Sequence, residues 1–184
     1  MLNPSQTKNR IRGALLELMQ EIDADKITAV NLAQKAGVSR ATLYRYYGSV
    51  DEVLIEMEDE FLEGMRDCSR YYISAPFDTS HLDEPYPAFV AVGEYIYEHK
   101  DFYLSITGPH GDARFIERWH KFVREFYCGK LIYEGLSTKD LDVYIEFALG
   151  GNDASMRYWL EKRPDLSAEE IAPITQRLLY GPFV

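Results

Sequence analysis

Apolar residues recur at three- and four-residue spacing along nearly the whole chain, and no stretch alternates at a spacing of two for long enough to make a strand. A period of 3.6 places such side chains on one face of a helix. The pattern therefore predicts an all-α fold, with about nine helices. Ile11, Leu15, Leu18, Met19 and Ile22 share one face of the first helix, which can start near Pro4 because the first turn does not need the missing N–H. Asp23-Ala24-Asp25 then breaks the pattern.

The next elements are short and strongly punctuated. Thr28 is a good N-cap for a helix carrying Val30, Leu32 and Ala33, and Ala36-Gly37 ends it in a tight turn that suits a left-handed glycine. Ser39 caps a second short helix that runs to about Tyr46, and Gly48 ends that one. Ser49 and Glu52 have the spacing of a capping box, opening a longer helix with Val53, Leu54, Met57, Phe61, Leu62 and Met65 on one side. Prolines 76, 85 and 87 mark a loop, followed by helices near Ala88–His99 and Asp101–Thr107. Gly108-Pro109-His110-Gly111 is a breaker. Further helices are predicted from Asp112 to about Tyr133, from Ser137 to Lys162, and from a second capping box at Ser167–Glu170 to Tyr180.

Thr28–Tyr47 thus reads as helix, tight turn, helix, the unit that lays its second helix in the DNA major groove. Charge first argues against it. The 184 residues hold 20 Lys and Arg against 30 Asp and Glu, a net charge of −10, and DNA binding needs cations to neutralise phosphates. The distribution reverses that inference. Residues 1–50 hold seven basic and four acidic side chains, net +3, and the remainder carries −13. A binding face responds to its local potential more than to the total.

The residue types fit the placement. Arg40 and Thr42, at the start of the second short helix, can reach base edges, Arg by pairing with guanine and Thr by its methyl on thymine. Ser39, Tyr44, Arg45 and Tyr46 offer hydroxyls and charge to phosphates, and Lys35 is a further basic candidate. Leu32 and Leu43 are expected to join the two helices, with Tyr47 packed inward. The organisation that follows is a DNA-binding domain over residues 1–49 and a helical ligand-binding and dimerisation domain over 50–184, linked by the helix from about 50 to 72.

Ala14-Leu15, Thr28, Leu32-Ala33, Ala36-Gly37-Val38-Ser39, Thr42-Leu43-Tyr44, Tyr46-Tyr47, Ser49 and Asp51-Glu52-Val53-Leu54 together resemble the N-terminal domain of the TetR family of bacterial transcriptional regulators. The resemblance implies a three-helix DNA-binding head, an all-helical body, and homodimers on palindromic operators, usually as repressors. It also implies DNA contacts by Thr28, Ser39, Thr42, Tyr44 and Tyr46. At position 50, where the family commonly has a phosphate-binding Lys, this chain has Val50. The last two helices resemble the family's dimer-forming pair, and their apolar set (Leu141, Tyr144, Ile145, Ala148, Leu149, Met156, Trp159 and Leu160) is wider than one internal core needs. Gly150-Gly151 would admit a close helix–helix approach.

The body is rich in aromatic residues. Most belong to a core, but Tyr103, Trp119, Phe122, Phe126, Tyr144 and Phe147 are candidates to line a pocket for a small apolar or aromatic effector, with His120 or Asn152 as polar contacts. No nucleophile–base pair, phosphate loop or metal-ligand cluster is visible, so neither an enzyme nor a cofactor is expected. His81-Leu82-Asp83-Glu84 reads as a solvated loop. A hydrophobic fraction of 46% with 27% charged residues excludes disordered and collagen-like chains. No apolar run nears the ~20 residues of a membrane span and no signal peptide is visible, so the expected place is the cytoplasm, with Cys68 and Cys128 as free thiols. The alternative reading is a helical ligand-binding or interaction protein of this fold that has lost operator binding.

Overall fold

The structure is a computed structural model that describes the backbone of residues 4–73, 79–128 and 138–180; the side chains of 69, 71–73, 79, 126–128, 138–142 and 180 lie outside the description. The described residues form nine α-helices and no strand. In chain order these are α1 (Pro4–Leu18), α2 (Ala29–Lys35), α3 (Arg40–Tyr46), α4 (Val50–Ile73), α5 (Pro87–Glu98), α6 (Lys100–Ile106), α7 (Ala113–Cys128), α8 (Thr138–Lys162) and α9 (Ala168–Tyr180). Short 3-10 turns cover Ala24–Lys26 and Thr79–His81. The helix expected to reach Tyr133 is described to Cys128, and residues 129–137 fall outside the description.

The chain folds as two compact units. The first takes Met1–Leu62 together with Asp101–Ile116, and the second takes Glu63–Lys100 with Glu117–Val184. In the first unit, Ile11, Ala14 and Leu15 of α1 are buried, as are Leu32 and Ala33 of α2, Leu43 of α3 and Val53 and Leu54 of α4. Ile11, Leu15, Val53 and Leu54 stand where the 3.6-residue period puts them, whereas Val30 of α2, grouped by sequence with Leu32 and Ala33, is exposed. An aromatic cluster continues that core: Phe61 lies 5.0 Å from Phe102 and 6.1 Å from Phe115, ring centre to ring centre. Phe102 meets Phe115 edge-on at 5.7 Å, an arrangement that suits the ring quadrupoles.

The second unit is built around Trp119, Trp159, Phe89, Met65, Met156, Ile171 and Ala172. Gly93 of α5 faces Ala168 of α9 so closely that a methyl on Gly93 would lie 3.2 Å from the Ala168 Cβ. The Ser167–Glu170 box forms as its spacing predicts: the Ser167 N–H donates to the Glu170 carboxylate at 2.8 Å, and the Glu170 N–H donates to the Ser167 hydroxyl at 3.3 Å. The buried Gln176 side chain fastens a loop to α9 by donating to the carbonyls of Leu82 and Glu84 and accepting from the Tyr86 N–H.

One polar cluster joins the ends of the first unit. Tyr47, just past α3, is 2% exposed, and its hydroxyl donates to Glu56 of α4 at 2.8 Å. Glu56 also accepts from Lys8 at 2.8 Å and Arg12 at 2.5 Å, both on α1. Burial pushes the Glu56 carboxyl up, but the hydrogen bonds from Lys8, Arg12 and Tyr47 outweigh it and hold the group down at about 2. A carboxylate depressed in the folded state stabilises fully above its ordinary value, and the contribution fades as pH falls through that value towards the folded one. Glu56→Gln therefore lowers the melting temperature at neutral pH by roughly 4 °C or more. The gap to wild type closes as pH drops from about 5 to about 2. Thermal denaturation followed by circular dichroism across that range checks both parts, and a gap independent of pH contradicts them.

Candidate nucleic-acid interface

Two seven-residue helices, α2 and α3, carry the interface, and each is held by its caps. The Thr28 hydroxyl accepts from the Asn31 N–H at 3.2 Å, while the Asn31 side chain accepts from the Thr28 N–H at 3.3 Å. The sequence signalled the cap but not its reciprocal half, because Asn stands where Glu or Gln is usual. At the other end of α2, Gly37 has φ +62°, as the tight turn demands. There the Val38 N–H reaches the Ala33 carbonyl at 3.0 Å and the Gly37 N–H reaches Gln34 at 3.1 Å. This pair of bonds is the Schellman motif. Ser39 then caps α3 by accepting from the Thr42 N–H at 3.0 Å.

Of the residues expected to face DNA, Thr28, Lys35, Ser39, Arg40, Tyr44 and Arg45 are exposed, and Thr42 and Tyr46 are half-buried. Leu43 is buried and fixes the rotation of α3. The Arg40 guanidinium lies 6.0 Å from the Tyr44 ring centre, and Arg45 lies 5.0 Å from that of Tyr46. Each aromatic ring thus holds an arginine at the surface, where cation and hydroxyl are presented together. Thr42 shares a 2.8 Å hydrogen bond with the Ser39 hydroxyl, so its hydroxyl is engaged within the cap while its methyl is not.

Two ion pairs bear on this face, and sequence reasoning gave neither. Lys35 pairs with Glu17 of α1 at 2.8 Å, and the hydrogen bond it donates to Glu17 pushes the Lys35 ammonium up from its ordinary value. Asp51 in the first turn of α4 is held by Arg114 at 2.6 Å, and Arg114 also holds Asp112 at 2.5 Å. The partners are 18 and 63 positions apart, beyond any helical period.

Comparison with known proteins follows this geometry. A family model described as "Bacterial regulatory proteins, tetR family" matches residues 11–57. One described as "Transcriptional regulator C-terminal region" matches residues 83–181, more than half the chain. The chain belongs to the TetR family of transcriptional regulators. A curated relative, the "uncharacterized HTH-type transcriptional regulator YxbF" of Bacillus subtilis strain 168, is 24% identical over 98% of this chain. The chain spans about half (48%) of that relative's length. Among solved TetR-family structures, a regulator from Streptococcus agalactiae 2603V superposes with a TM-score of 0.63 at 20% identity, covering 95% of this chain and 94% of its own. The Thermus thermophilus repressor FadR, solved in complex with lauroyl-CoA, does so at 0.52 with 21% identity, covering 96% and 95%. At these identities the likeness speaks to the fold.

The residues expected to line an effector pocket divide. Trp119 and Phe122 line an internal cavity of about 20 Å³ in the second unit, with Met65, Phe89, Ile96 and Met156; Asn152 and Thr175 are its polar lining. The Trp119 indole N–H donates to Asp153 at 2.9 Å, and His120 meets the other Asp153 oxygen at 2.6 Å. Tyr103 is buried in the first unit against Phe61, 6.2 Å between ring centres, and does not come to this cavity. Phe147 is 70% exposed and borders a groove between α8 and α9 instead. Tyr144 is half-buried and lines neither, with burial pushing its hydroxyl up to about 12. The Phe126 side chain lies outside the described residues. Burial also pushes the Cys68 thiol up to about 11, which leaves it a poor nucleophile. Among the described residues no cluster could hold a metal ion and no helix is long and apolar enough to cross a membrane.

The caps make a stability claim that can be measured. Ser39→Ala removes the acceptor for the Thr42 N–H and should cost about 1 kcal/mol, a fall of about 2–4 °C in melting temperature. Ser39→Asp should restore most of it, and no difference between Ser39→Ala and wild type contradicts the capping role.

Proposed function

We propose that this TetR-family protein acts as a homodimer that reads a palindromic operator and represses the genes beside it. A small apolar or aromatic effector would relieve that repression. The observation that carries the reading is the outer face of α3, where Arg40, Tyr44 and Arg45 stand exposed on a helix fixed by a buried Leu43 and a capped N-terminus. In this reading Arg40 and Thr42 meet base edges, and Thr28, Lys35, Ser39, Tyr44, Arg45 and Tyr46 meet phosphates. The protein would work in the cytoplasm, where its operator is.

The second copy is supported by what α8 and α9 leave uncovered. Val143, Phe147, Tyr158, Ile174 and Leu178 are large apolar residues on the surface, and a methyl on Gly150 or Gly151 would meet nothing within 4 Å. Reading two successive major grooves also needs two α3 helices about 34–36 Å apart, which one chain does not supply. The effector would act by its different affinity for body conformations that do and do not match that spacing. The cavity lining supports an uncharged, largely apolar compound, since its polar side chains are the neutral Asn152 and Thr175.

Two experiments test this reading. Selection of bound duplexes from a random pool should return a palindrome. Repeating it with Arg40→Ala should relax the preference at one position in each half-site, and Tyr44→Phe should weaken binding to all sequences alike. Recovery of no duplex by the wild type would sink the reading. Phe147→Asp combined with Leu178→Asp should bring the mass at sedimentation equilibrium down to that of a single 21.3 kDa chain. A wild type already at that mass speaks against the dimer.

A further inference from the structure

Seven basic side chains lie between Lys8 and Arg45, and the structure divides them. Four hold carboxylates: Lys8 holds Glu56, Arg12 holds Glu56 and Glu60, Lys26 holds Asp23, and Lys35 holds Glu17. Arg40 and Arg45 face aromatic rings of α3 instead. The seventh, Arg10, is exposed on α1 and has no carboxylate partner among the described residues.

Its position is specific. One guanidinium nitrogen of Arg10 lies 3.5 Å from the Gly37 carbonyl, in the turn between α2 and α3. A methyl on Gly37 would lie 2.6 Å from that nitrogen, so the guanidinium fills the space that any side chain at position 37 would take. Gly37 precedes the α3 cap by two residues. Arg10 is therefore carried on a different helix yet seated at the turn that leads into α3, against Gly37, 27 positions away in sequence. One long hydrogen bond to a carbonyl leaves most of its five N–H donors turned to solvent, in the planar fork that matches a phosphate. The one acid of its own helix, Glu17, does not compete for it, being held by Lys35.

We propose that Arg10 is a phosphate anchor of the DNA interface, gripping the backbone beside the groove that α3 enters. Resting on the DNA-binding reading above, this adds a contact from α1 that the helix-turn-helix pattern does not include. It gives the head a third uncompensated cation, where Lys35 must first leave Glu17 to serve. A phosphate contact carries no base information, so Arg10 sets affinity and salt response and leaves sequence preference to α3.

The test uses the full chain and the duplex that the wild type recovers from a random-sequence pool, titrated by fluorescence anisotropy from 50 to 400 mM KCl. Loss of one phosphate contact makes the slope of log K against log salt shallower by about 0.9 per head, or about 3.5-fold in affinity for each fourfold rise in salt. Arg10→Gln should show that change with an unaltered melting temperature and the wild-type base preference, and Arg10→Lys should restore the slope. If Arg10 only braces the Gly37 turn, Arg10→Gln weakens binding equally at all salts with the slope unchanged, and the proposal is overturned. An Arg10→Gln variant indistinguishable from wild type overturns it as well. A wild type that recovers no duplex overturns the DNA-binding reading and this one with it, whereas a binding wild type with a salt slope insensitive to Arg10 removes this one alone.

Discussion

Two helices of seven residues cannot hold themselves together in water, because a helix that short makes too few hydrogen bonds to offset the entropy cost of nucleation. Everything at the reading face depends on how α2 and α3 escape that limit. Thr28, Ser39 and the Schellman turn at Gly37 satisfy the end groups, and Leu32 and Leu43 bury one face of each helix. Tyr47 closes the unit by sending its hydroxyl to Glu56, which also receives Lys8 and Arg12. The outer side chains of α3 are free to meet a partner because stability is supplied from its inner face and its two ends.

The same economy governs charge. A net +3 over the first 50 residues is modest, and ion pairs within the first unit withdraw much of it from the surface. Arg12, Lys8 and Lys26 hold acids of their own unit. What remains is carried by Arg40 and Arg45 of α3 and by Arg10, and Asp51 in the first turn of α4 is answered by Arg114. Local potential follows from which pairs form, which a count of residues does not contain.

Much of the fold was legible in the sequence because its signals are local. The 3.6-residue period marked the buried faces, and Thr28, Ser39, Ser167 and Gly37 sit in the capping and turn geometries that their chemistry favours. The Ser49 box was half right: the Glu52 N–H does donate to Ser49 at 3.0 Å, but its carboxylate accepts from Gly48. What stayed hidden depends on distant neighbours. Nothing in the period says that Lys35 finds Glu17, or that Arg10 reaches under Gly37. Periodicity likewise shows that Tyr103 and Trp119 are inward, but not that they enter different cores. Phe147 sits among apolar neighbours on α8, yet it is turned to the surface.

The narrow cavity behind Trp119 has a kinetic corollary. At about 20 Å³ it holds roughly one water. A molecule of drug-like size would enter only after the lining side chains move. Trp119 is tethered to Asp153 through its indole N–H, so a swing of that ring would break the bond. Uptake of the proposed effector would then proceed through a less populated open form, with an association rate limited by the opening and an apparent affinity reduced by the fraction of time spent open. Slow, saturable uptake would be the signature of a gate made of tryptophan.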